Sequence, residues 1–421
     1  MSHTFTLSPG ITLHCVRDSR FKQGCLSIQF LRVMDAKEAA LNALLPAILL
    51  RGTQKHKDLR AITRKLDDLY GASVSTLVRR IGDYQTTGLY CAFMEDRFAL
   101  EGDQILRPML EFVRELLLEP LTQDGGFFRE YVESEKRNLV LTMESEINDK
   151  RTYAAGQLLR TMCSADSFGI PRLGEKDTVA AIDHKNAYEH YQALLRDSEI
   201  AIFYVGSADA EQMAELLTPI FAGLSTARTP LPPQTPFRDG GGQDRVETLD
   251  VTQAKLGMGF TTPITNQSPD FAAMQVCNTL FGGGMTSKLF QNLRETMSLC
   301  YSIGSGYYGS KGILTVNAGI DAQNEEISRQ EILRQLSACQ QGQISDAELQ
   351  SAKEAILSAL RGVHDSPGAI ENYYATHRLS NFPLSLEEHY EAVSQVSIPQ
   401  VAAAARSLQL HSSYFLKGVQ A

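Results

Sequence analysis

The chain has 421 residues, 43% of them hydrophobic and 21% charged. That length exceeds one typical hydrophobic core and suits two or more domains of an ordinary globular protein. The net charge of −9 argues against nucleic acid or an anionic membrane as the main partner.

The first residues, MSHTFTLSPGITLHCVRDSR, are polar and alternating. They lack the basic start and apolar run of a signal peptide, so a cytoplasmic location is expected. LSIQFLRV, residues 26–33, alternates like a half-buried strand. ALLPAILL, residues 43–50, is the longest apolar run and falls far short of the ~20 residues that span a bilayer. In LRAITRKLDDLYG, apolar residues at Leu59, Ile62, Leu66 and Leu69 precede Gly71, which predicts an amphipathic helix with a glycine stop. ILRPMLEFVRELLLEPL, from Ile105, predicts another. TPLPPQTPFRDGGGQDR, residues 229–245, crowds four prolines and three glycines without periodicity, which is linker chemistry near the midpoint. Beyond it, residues 255–264 and 313–320 read as strands and residues 271–280 as helix.

A midpoint linker invites a search for duplication. VAAIDHKNAYEHYQALLRDSEIAIFYV starts at Val179, and VSQVSIPQVAAAARSLQLHSSYFLKGV starts at Val393, an offset of 214. At that offset Asp183 meets Ser397, both suitable helix N-caps, and each helix leads into a strand. Upstream, KRNLVLTMESEINDK from Lys136 matches AKEAILSALRGVHDS from Ala352 at an offset of 216, and Asp149 meets Asp365. Element order and offset therefore predict two homologous α+β halves. The seven cysteines (Cys15, Cys25, Cys91, Cys163, Cys277, Cys300, Cys339) form no CxxC, and their odd count and wide spacing predict reduced structural thiols.

LFGGGMTSKLFQNLRETMSLCYS, residues 280–302, has the glycines and lysine of a phosphate loop. A Walker A loop needs a GK pair followed by a hydroxyl, after a buried strand. Here Lys288 follows Ser287, precedes Leu289, and the segment before the glycines is helical, so nucleotide binding is rejected.

The same stretch resembles the C-terminal signature of the M16 family (pitrilysin, insulinase, mitochondrial processing peptidase), LGGGxSSRLFxxLREKxGLxYS. LLRGT followed by LRAITRKLDDLYGASVS, and EKRNLVLTMESEINDK, resemble further family segments in the same order. Within the family the chain resembles the bacterial branch associated with elongation-factor-P modification. The resemblance implies an α+β fold of two homologous M16-like domains, residues 1–225 and 243–421, joined by a linker at 226–242. Each would be a mainly antiparallel sheet with packed helices, the two forming a clam-like chamber.

Active members carry HxxEH just before the RGT-like corner; its two histidines bind zinc and its glutamate activates the bound water. Anchored on Arg51-Gly52-Thr53, those places fall on Ala43, Pro46 and Ala47. A shift of one residue either way gives Asn42, Leu45 and Pro46, or Leu44, Ala47 and Ile48, and no set can hold zinc. The third ligand falls near Thr142–Met143, with Glu144 one residue out of register and read as solvated surface. No two of the nine histidines are four apart, and His184 and His190 differ by six. No metal and no cofactor are expected, nor catalysis by the isolated chain.

The family also places an arginine and a tyrosine, seven residues apart, in the half without metal, where they hold the substrate backbone. Here they are Arg294 and Tyr301, a guanidinium and a phenol able to donate to a carbonyl that gains negative charge. Gly282, Gly283 and Gly284 would let backbone come close to a peptide chain or to a facing domain. The resemblance thus implies the substrate-binding subunit of a heterodimeric peptidase, partnered by an HxxEH-bearing homologue, acting on peptides, and able to form a homodimer when isolated. The alternative is a non-catalytic structural or peptide-binding protein of the same fold.

Overall fold

The computed structural model describes residues 2–224 and 227–419. The expected domain boundary at residues 225 and 226 lies outside the described residues. The strands are β1 (Ser2–Ser8), β2 (Ile11–Arg17), β3 (Gln23–Val33), β4 (Ser73–Ile81), β5 (Tyr84–Met94), the short β6 (Thr122–Gln123) and β7 (Gly126–Phe127), β8 (Glu199–Gly206), β9 (Asp244–Leu249), β10 (Ala254–Thr261), β11 (Cys300–Tyr308), β12 (Ile313–Ile320) and β13 (Gln409–Gly418).

Two large sheets result. The first runs β1-β2-β8-β3-β5-β4 and the second β11-β12-β10-β13-β9. Leaving out β1 and reading the second from its other end, β2-β8-β3-β5-β4 matches β9-β13-β10-β12-β11. The direction of pairing matches too. β2 is parallel to β8 and β9 to β13, while the other neighbours are antiparallel. The weak sequence repeat is thus the trace of a repeated topology. The paired helix starts agree: Asp183 accepts from the Lys185 and Asn186 amides, and the Gln400 side chain accepts from the Ser397 amide.

The compact units interleave along the chain, unlike the consecutive halves 1–225 and 243–421. One comprises Met1–Met143, Ile170–Pro233 and Val363–Thr376; the other comprises Glu144–Gly169, Gln234–Gly362 and His377–Ala421. Each unit therefore takes a helical segment from the opposite half of the sequence.

Buried polar groups anchor both segments. In the first unit, Glu371 of the Pro367–Leu379 helix has a fully buried side chain. It accepts from Ser27 Oγ at 2.6 Å, Gln29 Nε2 at 3.3 Å, and Arg79 Nη1 and Nη2 at 3.0 and 2.8 Å. Ile370 beside it packs on Cys25 and Val205. In the second unit the Lys150–Met162 helix lays Ala154 and Leu158 on Tyr414 and Leu416. A Cβ at Gly259 would stand 2.7 Å from Met162 Sδ, so the helix seats there because β10 is bare at that point. Asp166, just beyond that helix, meets Lys311 at 3.1 Å with both side chains buried, and also accepts from the Phe168 and Arg238 amides.

Elsewhere the predicted elements form with small shifts. The Leu59–Asp68 helix ends in a turn shared by Tyr70 and Gly71, at φ 60 and 71°, rather than by glycine alone. All seven cysteines are buried thiols. Among the described residues no helix is long and apolar enough to cross a membrane.

Two stability predictions follow from buried polar groups. Lys311→Met strands the Asp166 carboxylate, and urea unfolding should show a loss of about 3–5 kcal/mol. Lys311→Met with Asp166→Asn should recover most of it. His389, 2% exposed, donates from Nε2 to Gln275 Oε1 at 2.6 Å and lies among Phe271, His377 and Phe382. Burial, with His377 adding to it, pushes the imidazole down to about 4 from 6.5. Folded and unfolded forms are both neutral above pH 6.5, where this stability is fully present. As the pH falls from there toward about 4, the unfolded imidazole takes a proton that the folded one refuses. Stability should drop by about 3 kcal/mol over that window. His389→Gln should flatten that part of a pH series of urea midpoints.

Candidate functional site

The Ala39–Leu49 helix carries the places where HxxEH would stand, and it packs as core. Ala43, Leu44, Leu45 and Ile48 join one apolar cluster with Leu139 and Met143. Pro46 is buried within the helix, and Ala47 is half-buried. Of the expected third-ligand positions, Thr142 is exposed and Met143 is buried in that cluster; Glu144 is also exposed. Zinc needs three or more N, O or S donors converging. Here methyl, proline and thioether groups occupy the space, so the residues do not fit the ion. Among the described residues no group of three or more His, Cys, Asp or Glu side chains could hold a metal.

A polar chain not foreseen from sequence crosses this helix. Pro46 lacks an N–H, which frees the Asn42 carbonyl one turn earlier. Thr87 Oγ1 donates to it. Asn42 itself is fully buried. His190 Nε2 donates to Asn42 Oδ1 at 2.7 Å, and Asn42 Nδ2 donates to Gln85 Oε1 at 2.8 Å. Gln85 Nε2 closes the chain on the Ala39 and Arg172 carbonyls. Burial holds His190 below its usual range, which keeps it neutral and consistent with a single N–H donated to Asn42. The signal in sequence was Asn42 itself, a lone amide inside an apolar run.

The segment carrying Arg294 and Tyr301 is built differently, from three successive irregularities. Phe290–Thr296 is a π-helical turn, with the Met297 amide bonding the Asn292 carbonyl five residues back at 2.9 Å. Ser298 then sits at φ 50°. Finally β11 pairs Cys300 with Ile320 and Ser302 with Gly319, so Tyr301 is the extra residue of a bulge. Such irregularities re-aim side chains and gather at functional sites.

Tyr301 is 65% exposed, and its hydroxyl has no partner among the described residues. The Arg294 side chain is 44% exposed, stacks over the Phe290 ring at 4.7 Å, and lies 3.7 Å from Glu295. That pair is long and solvated, so it restrains the guanidinium weakly. Arg294 reaches the start of β11 electrostatically. Burial pushes the Cys300 thiol up to about 11, and the Arg294 charge acts in the opposite direction.

The glycines divide by role. A Cβ at Gly282 would meet Ser305 Oγ at 2.7 Å, and one at Gly283 would meet Thr279 Cα at 2.6 Å. Internal packing accounts for both. A Cβ at Gly284 would meet nothing within 4 Å. Lys288, the lysine of the apparent phosphate loop, is buried and paired with Glu348 at 2.6 Å.

Comparison with known proteins bears on the same features. The profile of the Peptidase M16 inactive domain matches residues 181–356. The chain is 29% identical to a probable inactive metalloprotease, YmfF, of Bacillus subtilis over 98% of this chain and 96% of that one. Residues 181–356 thus resemble the M16 inactive domain, and nearly the whole chain is similar to a relative named as an inactive metalloprotease. An uncharacterized zinc protease of Mycobacterium tuberculosis, Rv2782c, is 24% identical over 69% of this chain and 68% of its own length. A conserved protein from Enterococcus faecalis superposes with a TM-score of 0.92 at 26% identity, covering 100% of this chain and 99% of that one. The M16 fold is shared further. An M16 inactive-domain protein from Pseudomonas fluorescens (TM-score 0.81, 16% identity, 99% and 98% covered) and a chain from complex III of Candida albicans (0.75, 16%, 99% and 95%) have it too.

The apolar filling of the M16 zinc place predicts protein purified without an affinity tag to hold well under one zinc per chain. Elemental analysis after zinc incubation and desalting checks this; about one zinc per chain would contradict it.

Proposed function

We propose that this chain is the substrate-holding, zinc-free subunit of a two-subunit peptidase, working beside an HxxEH-bearing M16 homologue on peptide substrates. One contrast carries the reading. The Ala39–Leu49 helix has become sealed core, while Arg294 and Tyr301 stand exposed on a segment that departs from regular geometry three times. A purely structural subunit gains nothing from a bulge that lifts a tyrosine into solvent. In this reading the partner supplies metal and general base. Arg294 and Tyr301 supply donors to the peptide carbonyl as negative charge develops. Gly284 leaves open backbone for a peptide to approach; Gly282 and Gly283 act indirectly, by shaping the loop. The cytoplasm is the expected site of action.

A second reading, a structural or peptide-binding protein without catalysis, draws on the fold shared with a respiratory-complex chain. Co-expression with an HxxEH-bearing homologue and a peptidase assay separates the two. Arg294→Ala should lower turnover by ~10²–10³ while folding and pairing persist, and Tyr301→Phe by a similar or smaller factor. Unchanged turnover in both variants, beside an intact zinc subunit, would leave the structural reading.

A further inference from the structure

The loop at 54–58 and the Leu59–Asp68 helix carry an unusual charge arrangement. Lys55, Lys57, Arg60 and Arg64 are all exposed. None of the four side chains has a hydrogen-bond or ion-pair partner among the described residues. The neighbouring polar groups are committed elsewhere. His56 turns inward to Glu115 at 2.7 Å, and Asp58 Oδ1 caps the helix by accepting from the Ala61 amide at 2.8 Å. Leu59, between the basic residues, is 46% exposed.

The arrangement opposes the helix that bears it. A helix favours acidic groups in its first turn and basic groups in its last. Here the first turn has no acidic residue and contains Arg60, and although Lys65 lies in the last turn, the last two positions are Asp67 and Asp68. Arg60 and Arg64 are also a like-charged pair four apart, which is unfavourable. The helix forms despite these charges, through its Asp58 cap and buried Ile62. Charges that weaken their own element, on a chain with a net charge of −9, call for an external counterpart.

We propose that this surface docks a short acidic segment of a partner polypeptide. The proposal does not rest on the peptidase reading. Arg60 and Arg64 stand about 6 Å apart along the helix axis. Alternate side chains of an extended chain are spaced about 6.6 Å, so acidic residues at every second position match them. Asp67 and Asp68 close the patch at one end, which limits the ligand to a short segment. The overall negative charge repels densely charged duplexes and bilayers. The exposed apolar neighbour is aliphatic Leu59, which offers no ring for a base to stack on.

The test uses the full chain and a fluorescein-labelled peptide of alternating glutamate and leucine, followed by anisotropy at low and at physiological ionic strength. The comparison ligands are the same peptide with glutamine for glutamate, a single-stranded RNA, and phosphatidylserine vesicles. The acidic peptide should bind and the glutamine peptide should not. R60E/R64E and, separately, the loop variant K55E/K57E should each weaken binding by about tenfold or more, with a smaller salt dependence. K37E/K185E makes the same change in net charge outside this loop and helix and should bind as the wild type does. Three outcomes would overturn the proposal: no binding of the acidic peptide, tighter binding of RNA or vesicles, or equal weakening in K37E/K185E.

Discussion

A buried carboxylate with a full set of donors ties the first unit together. Glu371 is taken out of water with Arg79, Ser27 and Gln29 around it. Removing a charge from water costs several kcal/mol, and only this number of well-placed donors offsets it. The consequence is topological, because residues 363–376 must reach the first sheet before that unit is complete. The second unit has its counterpart in Asp166 and Lys311, next to a helix drawn from the first half of the sequence. Neither unit is therefore a continuous stretch of chain, although their strand orders repeat.

On this scaffold the two candidate regions differ in kind. At the positions where HxxEH was expected stand groups that pack. The one disruption of the helix, Pro46, is compensated by Thr87. The polar chain from His190 through Asn42 to Gln85 commits each of those three side chains to internal partners. In the other region the backbone is irregular. A π-helical turn, a left-handed serine and a bulge each depart from regular backbone geometry, and the left-handed Ser298 by itself costs of order 1–3 kcal/mol. Internal packing explains Gly282 and Gly283 but does not explain an exposed Tyr301. Stored irregularity with an outward tyrosine is therefore the feature that separates this segment from the rest of the core.

Much of this was legible in the sequence by itself. Helix caps at Asp183 and Ser397 depend on near neighbours, as do strand alternation and the repeat offset. A local pattern suffices for these. Tertiary structure alone decided the exchange of residues 144–169 and 363–376 between units, because it depends on Glu371 meeting Arg79 and on Gly259 admitting Met162. It also decided the bulge at Tyr301, which is set by how β11 registers on β12. The partners of Asn42 were hidden for the same reason. Gln85 and His190 lie 43 and 148 residues away, and no periodicity encodes a contact made across that distance.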